Sequence, residues 1–205
     1  MARGQIPDCI VVLCGSQYPG NLGSSMRACA LQGIEWICVL GGVKADFIKS
    51  AFRAAQLERP EAVSWKVRLT HAPADLVPAD ALSRLRHEWG FELVGLTDAA
   101  GAVPVWEAEL SRPKLAFVFG KENGGIPPEA EQALNTVVTI PQVTEGCLNV
   151  SHAVAIAAYE RHRQTRVSPA LRYHVQSQHH CQVQILPEQP PAKRCCVGSL
   201  PLGGA

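Results

Sequence analysis

Two groups of polar residues, far apart in the chain, are the candidates for chemistry. Asn21 and Arg27 lie six residues apart near the N-terminus, and Glu122 and Asn149 lie in the second half. Arg27 carries a permanent cation whose fork of N–H donors matches a phosphate or a carboxylate. Structural roles are equally open on spacing alone: either Asn can cap a helix, Glu122 can bind N–H groups of a turn, and Arg27 can form an ordinary salt bridge.

Glu122 lies in a glycine-rich stretch, residues 117–128, which reads FVFGKENGGIPP. A strand, a turn and a helix in this order place backbone N–H groups beside a ligand at the carboxyl end of a parallel strand. The common nucleotide-binding patterns G-x-G-x-x-G and Walker A are absent, as are H-E-x-x-H and G-x-S-x-G. The stretch therefore predicts a ligand site of a less common kind.

The elements that must position these residues alternate between strands and helices. Continuous apolar runs such as residues 8–14 are typical of strands buried on both faces. Short connections favour an α/β fold, with a mostly parallel six-stranded sheet and helices on both faces. We expect strands at 8–14, 36–40, 63–69, 91–96, 115–119 and 137–140, and helices at 21–33, 46–57, 74–89, 127–134 and 148–164. The many small residues at 23–30 predict a helix that another backbone approaches closely.

Composition narrows the class of protein. The 205 residues are 47% hydrophobic and 18% charged, with a net charge of +1, which is typical of a soluble globular protein. No apolar run approaches the roughly 20 residues of a membrane span, and no targeting segment is evident, so a cytoplasmic location, or alternatively a nuclear one, is the default expectation. The eight cysteines form no C-x-x-C pair, so we expect reduced thiols and no metal site, with metal binding or modification of the clusters at 179–181 and 195–196 as the alternative. Residues 1–165 are expected to form one domain, and residues 166–205 a flexible tail containing Pro, Gln, His and Cys.

Three motifs carry a resemblance to a known family. Residues 19–28 read PGNLGSSMRA, residues 119–126 read FGKENGGI, and Ile140-Pro141 precedes CLNVS at 147–151. In order and approximate spacing these resemble the three motifs of the SpoU/TrmH family of SPOUT RNA 2′-O-ribose methyltransferases, over roughly residues 8–164. The resemblance implies methylation of a ribose 2′-hydroxyl in RNA with S-adenosylmethionine as cofactor. It also implies a homodimer whose C-terminal part forms a trefoil knot, one of the rare exceptions to unknotted folds.

The resemblance also assigns roles to residues. Arg27 would anchor an RNA phosphate and orient the ribose hydroxyl, and a role in taking the hydroxyl proton is a hypothesis. Asn21, Glu122 and Asn149 would complete the catalytic site. The cofactor pocket would be lined by Leu96, Gly120, Ile140, Cys147 and Leu148.

The substrate is less closely specified. Residues 63–67 and 106–113 resemble the branch that acts on guanosine in the tRNA D-loop, and ribosomal RNA is the alternative. The basic residues Arg161, His162, Arg163, Arg166 and Arg172 are candidates for tRNA contact, or for a solvated helix end favoured by the helix dipole. Family members usually have Ser at the position of Cys147, and the loop 142–146 is about one residue shorter than usual. A catalytically silent domain that binds RNA or a partner is therefore a further alternative.

Overall fold

A computed structural model describes residues 6–56, 67–71 and 76–166. Strands and helices alternate along these ranges, as predicted. They are β1 (Cys9–Cys14), α1 (Pro19–Leu31), β2 (Trp36–Leu40), α2 (Ala45–Gln56), β3 (Arg68–His71), α3 (Pro78–His87), β4 (Glu92–Leu96), β5 (Val103–Pro104), β6 (Leu115–Phe119), α4 (Pro128–Glu131), β7 (Thr136–Thr139) and α5 (Val150–Thr165). The start of the strand expected at 63–69 and nearly all of the expected C-terminal tail lie outside the described residues.

The strands form one sheet in the order β3-β2-β1-β6-β4-β7-β5, and every described pairing is parallel. The predicted α/β class is confirmed, but the prediction of six strands is wrong, because the sheet has seven. The additional strand, β5, pairs Val103 with Val138 and Pro104 with Thr139 at the sheet edge. Two residues cannot show a periodic pattern, and a proline argues against a strand in sequence although edges tolerate it.

Helices cover both faces of the sheet. One face packs against α1, α2 and α5 and includes Val11, Leu22 and Val154 in its core. The opposite face packs against α3 and α4 and includes Val12 and Leu85. All residues of β1, β2 and β6 are buried, which explains why these strands are continuous apolar runs without alternation.

Helix α1 begins earlier than expected, and this changes the role of Asn21. Pro19 occupies the first turn and Tyr18 precedes it, without a side-chain cap. Proline presets the helical φ and lacks the N–H that would be unsatisfied there. Asn21 is therefore not the N-cap, and its side chain is available for another contact. The predicted end is confirmed, since Gly33 follows the helix with φ +77°.

Gly23 explains how closely α1 approaches α2. A Cβ at this position would lie 2.6 Å from the carbonyl oxygen of Ala51 and 2.9 Å from the nitrogen of Ala55. The predicted close approach of another backbone to the small residues of α1 is confirmed.

Four cysteines are packed inside the sheet and its helices. Burial raises the pKa of Cys9 and Cys14 to about 12, and raises the pKa of Cys29 and Cys38 further. These thiols are unpaired and remain protonated, so they act as small apolar side chains. Within the described ranges, no His, Cys, Asp and Glu side chains are grouped to hold a metal ion. No helix there has the length and apolar character to cross a membrane.

Candidate functional site

A cleft lies at the carboxyl ends of three neighbouring strands, β6, β4 and β7. Its lining comes from the segments that follow these strands and from the start of α5. This is the edge where ligands bind in parallel α/β sheets. The lining residues are Leu96, Thr97, Asp98, Phe119, Gly120, Lys121, Glu122, Gly124, Gly125, Thr139, Ile140, Gln142, Cys147, Leu148, Val150 and Ala153.

All five residues predicted to hold a cofactor lie on this cleft: Leu96, Gly120, Ile140, Cys147 and Leu148. They come from three separate strand ends, so the fold brings together positions that are up to 52 residues apart in the chain. Their proximity is a structural fact, and their part in binding stays a prediction.

The glycine-rich segment 120–125 folds back on itself at the cleft. The Lys121 N–H donates to the carbonyl of Gly125 over 2.9 Å, and the Gly125 N–H donates to the carbonyl of Lys121 over 3.3 Å. Gly124 and Gly125 have φ values of +123° and +68°. A Cβ on Gly120 would lie 1.9 Å from the carbonyl carbon of Gly125. Only glycine at position 120 therefore permits this tight turn.

Asn149, Asn21 and Glu122 form a hydrogen-bonded chain, which we call the amide relay. The Asn149 Nδ2 donates to Asn21 Oδ1 over 3.0 Å, and the Asn21 Nδ2 donates to Glu122 Oε1 over 2.8 Å. Glu122 Oε2 accepts from the backbone N–H of Gln17 over 3.1 Å. The relay thus joins α5, α1 and the glycine-rich turn through side chains that lie more than 100 residues apart.

The backbone of α5 fixes the direction of the relay. Asn149 Oδ1 accepts from the Ser151 N–H over 2.8 Å and from the Ser151 hydroxyl over 2.7 Å. A backbone N–H can only donate, so the Asn149 oxygen must face Ser151 and its amide nitrogen must face Asn21. The predicted helix cap of Asn149 is confirmed, and the same side chain takes part in the relay.

Arg27 is the one predicted catalytic residue that the relay does not include. It lies half-buried on α1, six residues beyond Asn21, which places it about 120° around the helix from Asn21. It is not among the residues that line the cleft. Hydrogen bonds therefore join Asn21, Glu122 and Asn149, while Arg27 lies on the same helix as Asn21.

Two charged residues of the cleft were missed by sequence reasoning. Asp98 and Lys121 each lie two residues beyond the end of a strand, and the paired register of Leu96 with Phe119 brings those ends side by side. Their position after adjacent parallel strands was a signal that could have identified them.

Two of the basic residues at the end of α5, Arg161 and Arg163, are engaged within the chain. Arg161 is only 8% exposed, and it donates to the carbonyls of Leu110, Arg112 and Asp8. Arg163 forms two hydrogen bonds, of 2.9 and 2.7 Å, with Glu160. These bonds lower the pKa of Glu160. A tRNA contact through Arg161 is therefore contradicted by its burial, and Arg172 lies outside the described residues.

Comparison with known proteins gives consistent results. The model of the SpoU rRNA methylase family matches residues 8–159. An uncharacterized tRNA/rRNA methyltransferase of Synechocystis is 30% identical over 156 residues, which are 72% of this chain and 50% of the relative. The chain thus spans about half the length of this curated relative.

Solved structures show the same fold. A TrmH-family protein from Porphyromonas gingivalis matches with a TM-score of 0.65 and 25% identity, over 78% of this chain and 61% of the other. The SpoU methyltransferase AviRb from Streptomyces viridochromogenes, solved in complex with the cofactor AdoMet, has a TM-score of 0.64 at 21% identity. That match covers 79% of this chain and 60% of AviRb.

Proposed function

The chain belongs to the SpoU rRNA methylase family, and on this premise we propose that it methylates a ribose 2′-hydroxyl in RNA with S-adenosylmethionine as methyl donor. The observation that carries the proposal is the amide relay at the mouth of the cleft. The relay joins one residue from each of the three family motifs by hydrogen bonds, next to the cleft that contains the five predicted cofactor residues.

The chemistry of the cleft fits the cofactor. S-adenosylmethionine supplies an electrophilic methyl group on a sulfonium, together with a flat adenine and polar ribose and amino-acid groups. Leu96, Ile140 and Leu148 offer apolar surface, while Gly120 brings backbone groups to the lining without a side chain. The exposed Cys147 also lines the cleft, and its thiol is a weak donor compared with a serine hydroxyl. AviRb, which shares this fold, was solved in complex with AdoMet, and this supports S-adenosylmethionine as the proposed cofactor.

The relay would position the hydroxyl and its neighbours and would not itself remove the proton. Both oxygens of Glu122 accept hydrogen bonds from the chain, so this carboxylate holds Asn21 and the segment before α1 in place. A ribose hydroxyl is a weak nucleophile while protonated, and something must accept its proton during methyl transfer. We assign phosphate anchoring and hydroxyl orientation to Arg27, with proton acceptance assisted by an RNA phosphate as a hypothesis.

We also propose that two copies of the chain assemble, because one face of α5 leaves large apolar side chains exposed. On α5, His152, Ile156, Tyr159 and Arg163 are exposed and follow the spacing of one helical face. Ile156 and Tyr159 are 37% and 58% exposed. A second copy seated on this face, next to α1, would bring its Arg27 toward the cleft. After β7, which lies next to the edge strand β5, the chain returns across the sheet so that α5 packs on α1, and this return supports the proposed trefoil knot.

For the substrate we propose a guanosine of the tRNA D-loop, on the resemblance of residues 63–67 and 106–113 to that branch. Ribosomal RNA is the second candidate. The matching family model is described as an rRNA methylase family, and the description of the Synechocystis relative mentions both tRNA and rRNA.

Two measurements test the proposal. Isothermal calorimetry with S-adenosylmethionine should show binding to the full chain, and absence of binding at millimolar cofactor would overturn the proposal. Incubation with radiolabelled S-adenosylmethionine and separated tRNA and ribosomal RNA should label tRNA at a ribose. Label in ribosomal RNA alone would select the second candidate, and binding of cofactor without transfer to either RNA would favour a silent domain.

A further inference from the structure

Lys121 occupies a fixed position at the edge of the cleft. Its backbone N–H and carbonyl both bond to Gly125, so its Cα cannot move without opening the glycine-rich turn. The side chain is exposed and forms part of the cleft lining. The point from which the lysine extends is therefore set by the fold.

The side chain of Lys121 extends over Gly15, at the end of β1. A Cβ on Gly15 would lie 2.7 Å from Cε and 3.2 Å from Cγ of Lys121, so the absent side chain makes room for the lysine. Gly15 is itself held by its N–H, which donates to the carbonyl of Leu40 over 2.9 Å. Its φ of +79° also favours glycine. Lys121 thus leans toward β1, and Gly15 is not part of the cleft lining.

The charge of Lys121 has no counter-charge among the described residues, where no carboxylate forms an ion pair with it. Glu122 is adjacent in sequence, but its two oxygens bond to Asn21 and to the N–H of Gln17. Asp98 lies on the cleft after β4, whereas the lysine leans to the opposite side, over β1. The result is a positioned cation near the relay that an anionic ligand could neutralise.

We propose that Lys121 binds a phosphate of the RNA backbone next to the ribose that is methylated. This rests on the proposed function, since a ribose held at the relay carries phosphates on both sides along the strand. A lysine ammonium presents a compact charge and three donors, which suits a phosphate oxygen. The competing ligand is the carboxylate of the cofactor. The side chain reaches over Gly15, which is outside the cleft lining and lies on the connection from β1 to α1, the helix that carries Asn21, and this position favours the phosphate.

The test uses two substitutions of Lys121 and one control. Lys121→Met keeps the apolar stem over Gly15 and removes the charge, while Lys121→Arg keeps the charge. Lys49→Met removes an exposed lysine on α2 that pairs with Asp46 instead. For each full-length protein, the affinity for unmodified tRNA transcripts and for ribosomal RNA is measured over a series of KCl concentrations, and cofactor affinity is measured by calorimetry.

One lost phosphate contact should reduce the slope of log affinity against log salt by about 0.7. We expect this reduction for Lys121→Met on the RNA that is the substrate, with weaker binding at low salt and unchanged cofactor affinity. Lys121→Arg and Lys49→Met should retain the wild-type slope. This readout reports a charge contact and would not change if the lysine were only structural.

The outcomes separate this inference from the proposed function. An unchanged salt slope in Lys121→Met, with wild-type protein that binds both cofactor and RNA, overturns the inference alone. Weaker cofactor binding in Lys121→Met with an unchanged slope also overturns it and assigns the lysine to the cofactor carboxylate. A wild-type protein that binds neither cofactor nor RNA overturns the proposed function itself.

Discussion

The amide relay and the C-terminal end of α5 both contain polar side chains that bond to distant segments, but these side chains have different roles in the two regions. At the relay, Asn149, Asn21 and Glu122 bond to one another from three distant segments beside a cleft. At the end of α5, Arg161 bonds to backbone carbonyls and is buried. Polar side chains that join separate segments at an open edge can serve a ligand, whereas a cation enclosed by carbonyls stabilises the loop that supplies them. Residue type alone did not distinguish the two.

The largest expected effect on stability comes from a substitution in the glycine-rich turn that carries Glu122. In Gly120→Val, the new side chain would collide with the backbone of Gly125, where even a Cβ would lie 1.9 Å from the carbonyl carbon. We expect a loss of more than about 4 kcal/mol in the free energy of unfolding, because backbone cannot yield as a side chain can. Urea unfolding measures the change, and calorimetry should show cofactor binding lost.

Gly20→Ala is the matched control, since a Cβ there meets nothing within 4 Å. It should leave stability unchanged or raise it by about 0.5 kcal/mol. Normal stability and cofactor binding in Gly120→Val would show that the turn is not required to be this tight.

The next effect tests whether the end of α5 is structural. Arg161→Ala removes the donor to three buried or partly buried carbonyls, and we expect a loss of about 3 kcal/mol in the free energy of unfolding. Affinity for RNA, measured on the folded fraction, should not change. Weaker RNA binding with full stability would return Arg161 to the role of an RNA contact and remove the distinction between the two regions.

A smaller change separates the cap from the relay. Asn149→Asp keeps an oxygen that can accept from Ser151, so α5 remains capped. The amide nitrogen that faces Asn21 Oδ1 becomes an oxygen, which places two acceptors against each other. We expect a stability loss of about 1 kcal/mol but at least a tenfold lower rate of methyl transfer, measured with radiolabelled cofactor. Full activity in this variant would show that only the cap matters.

The smallest effect concerns the ion pair of Glu160 with Arg163. The hydrogen bonds from Arg163 hold the pKa of Glu160 below its ordinary value of 4.5. The pair therefore stabilises the fold above that value, and this contribution is lost as pH falls through the lowered pKa. Because the Arg163 side chain is 54% exposed, solvent screens the pair, and we expect the smallest effect of the four on stability. Unfolding of wild type and Arg163→Ala at pH 7 and in acid should show a difference that shrinks in acid, and a difference that grows would contradict this cause.

The sequence predicted best what depends on local pattern. The bounds of β2 and β6 were predicted as found, since both are uninterrupted apolar runs. The end of α1 at a glycine was also readable. By contrast, the relay partner of Asn21 depends on the packing of distant segments. Family motifs placed Asn21, Glu122 and Asn149 in one site, but no local signal gives the direction of their hydrogen bonds.

The errors have equally physical causes. Pro19 started α1 two residues early, and the residue that looked like its cap was free to bind Glu122. The strand β5 was too short to carry a period. The burial of Arg161 was hidden because a run of basic residues does not indicate which members turn inward. The direction of the Lys121 side chain could not be predicted, because it depends on Gly15, more than 100 residues away.

The short edge strand has one more consequence, for how copies of the chain can meet. The Val105 N–H points inward to the carbonyl of Thr139. Donors alternate in direction along a strand, so the outward direction falls to position 104. Pro104 has no N–H to offer there. A further strand added at this edge would receive no backbone hydrogen bond from position 104. The edge is therefore protected against strand pairing between copies, which leads to aggregation.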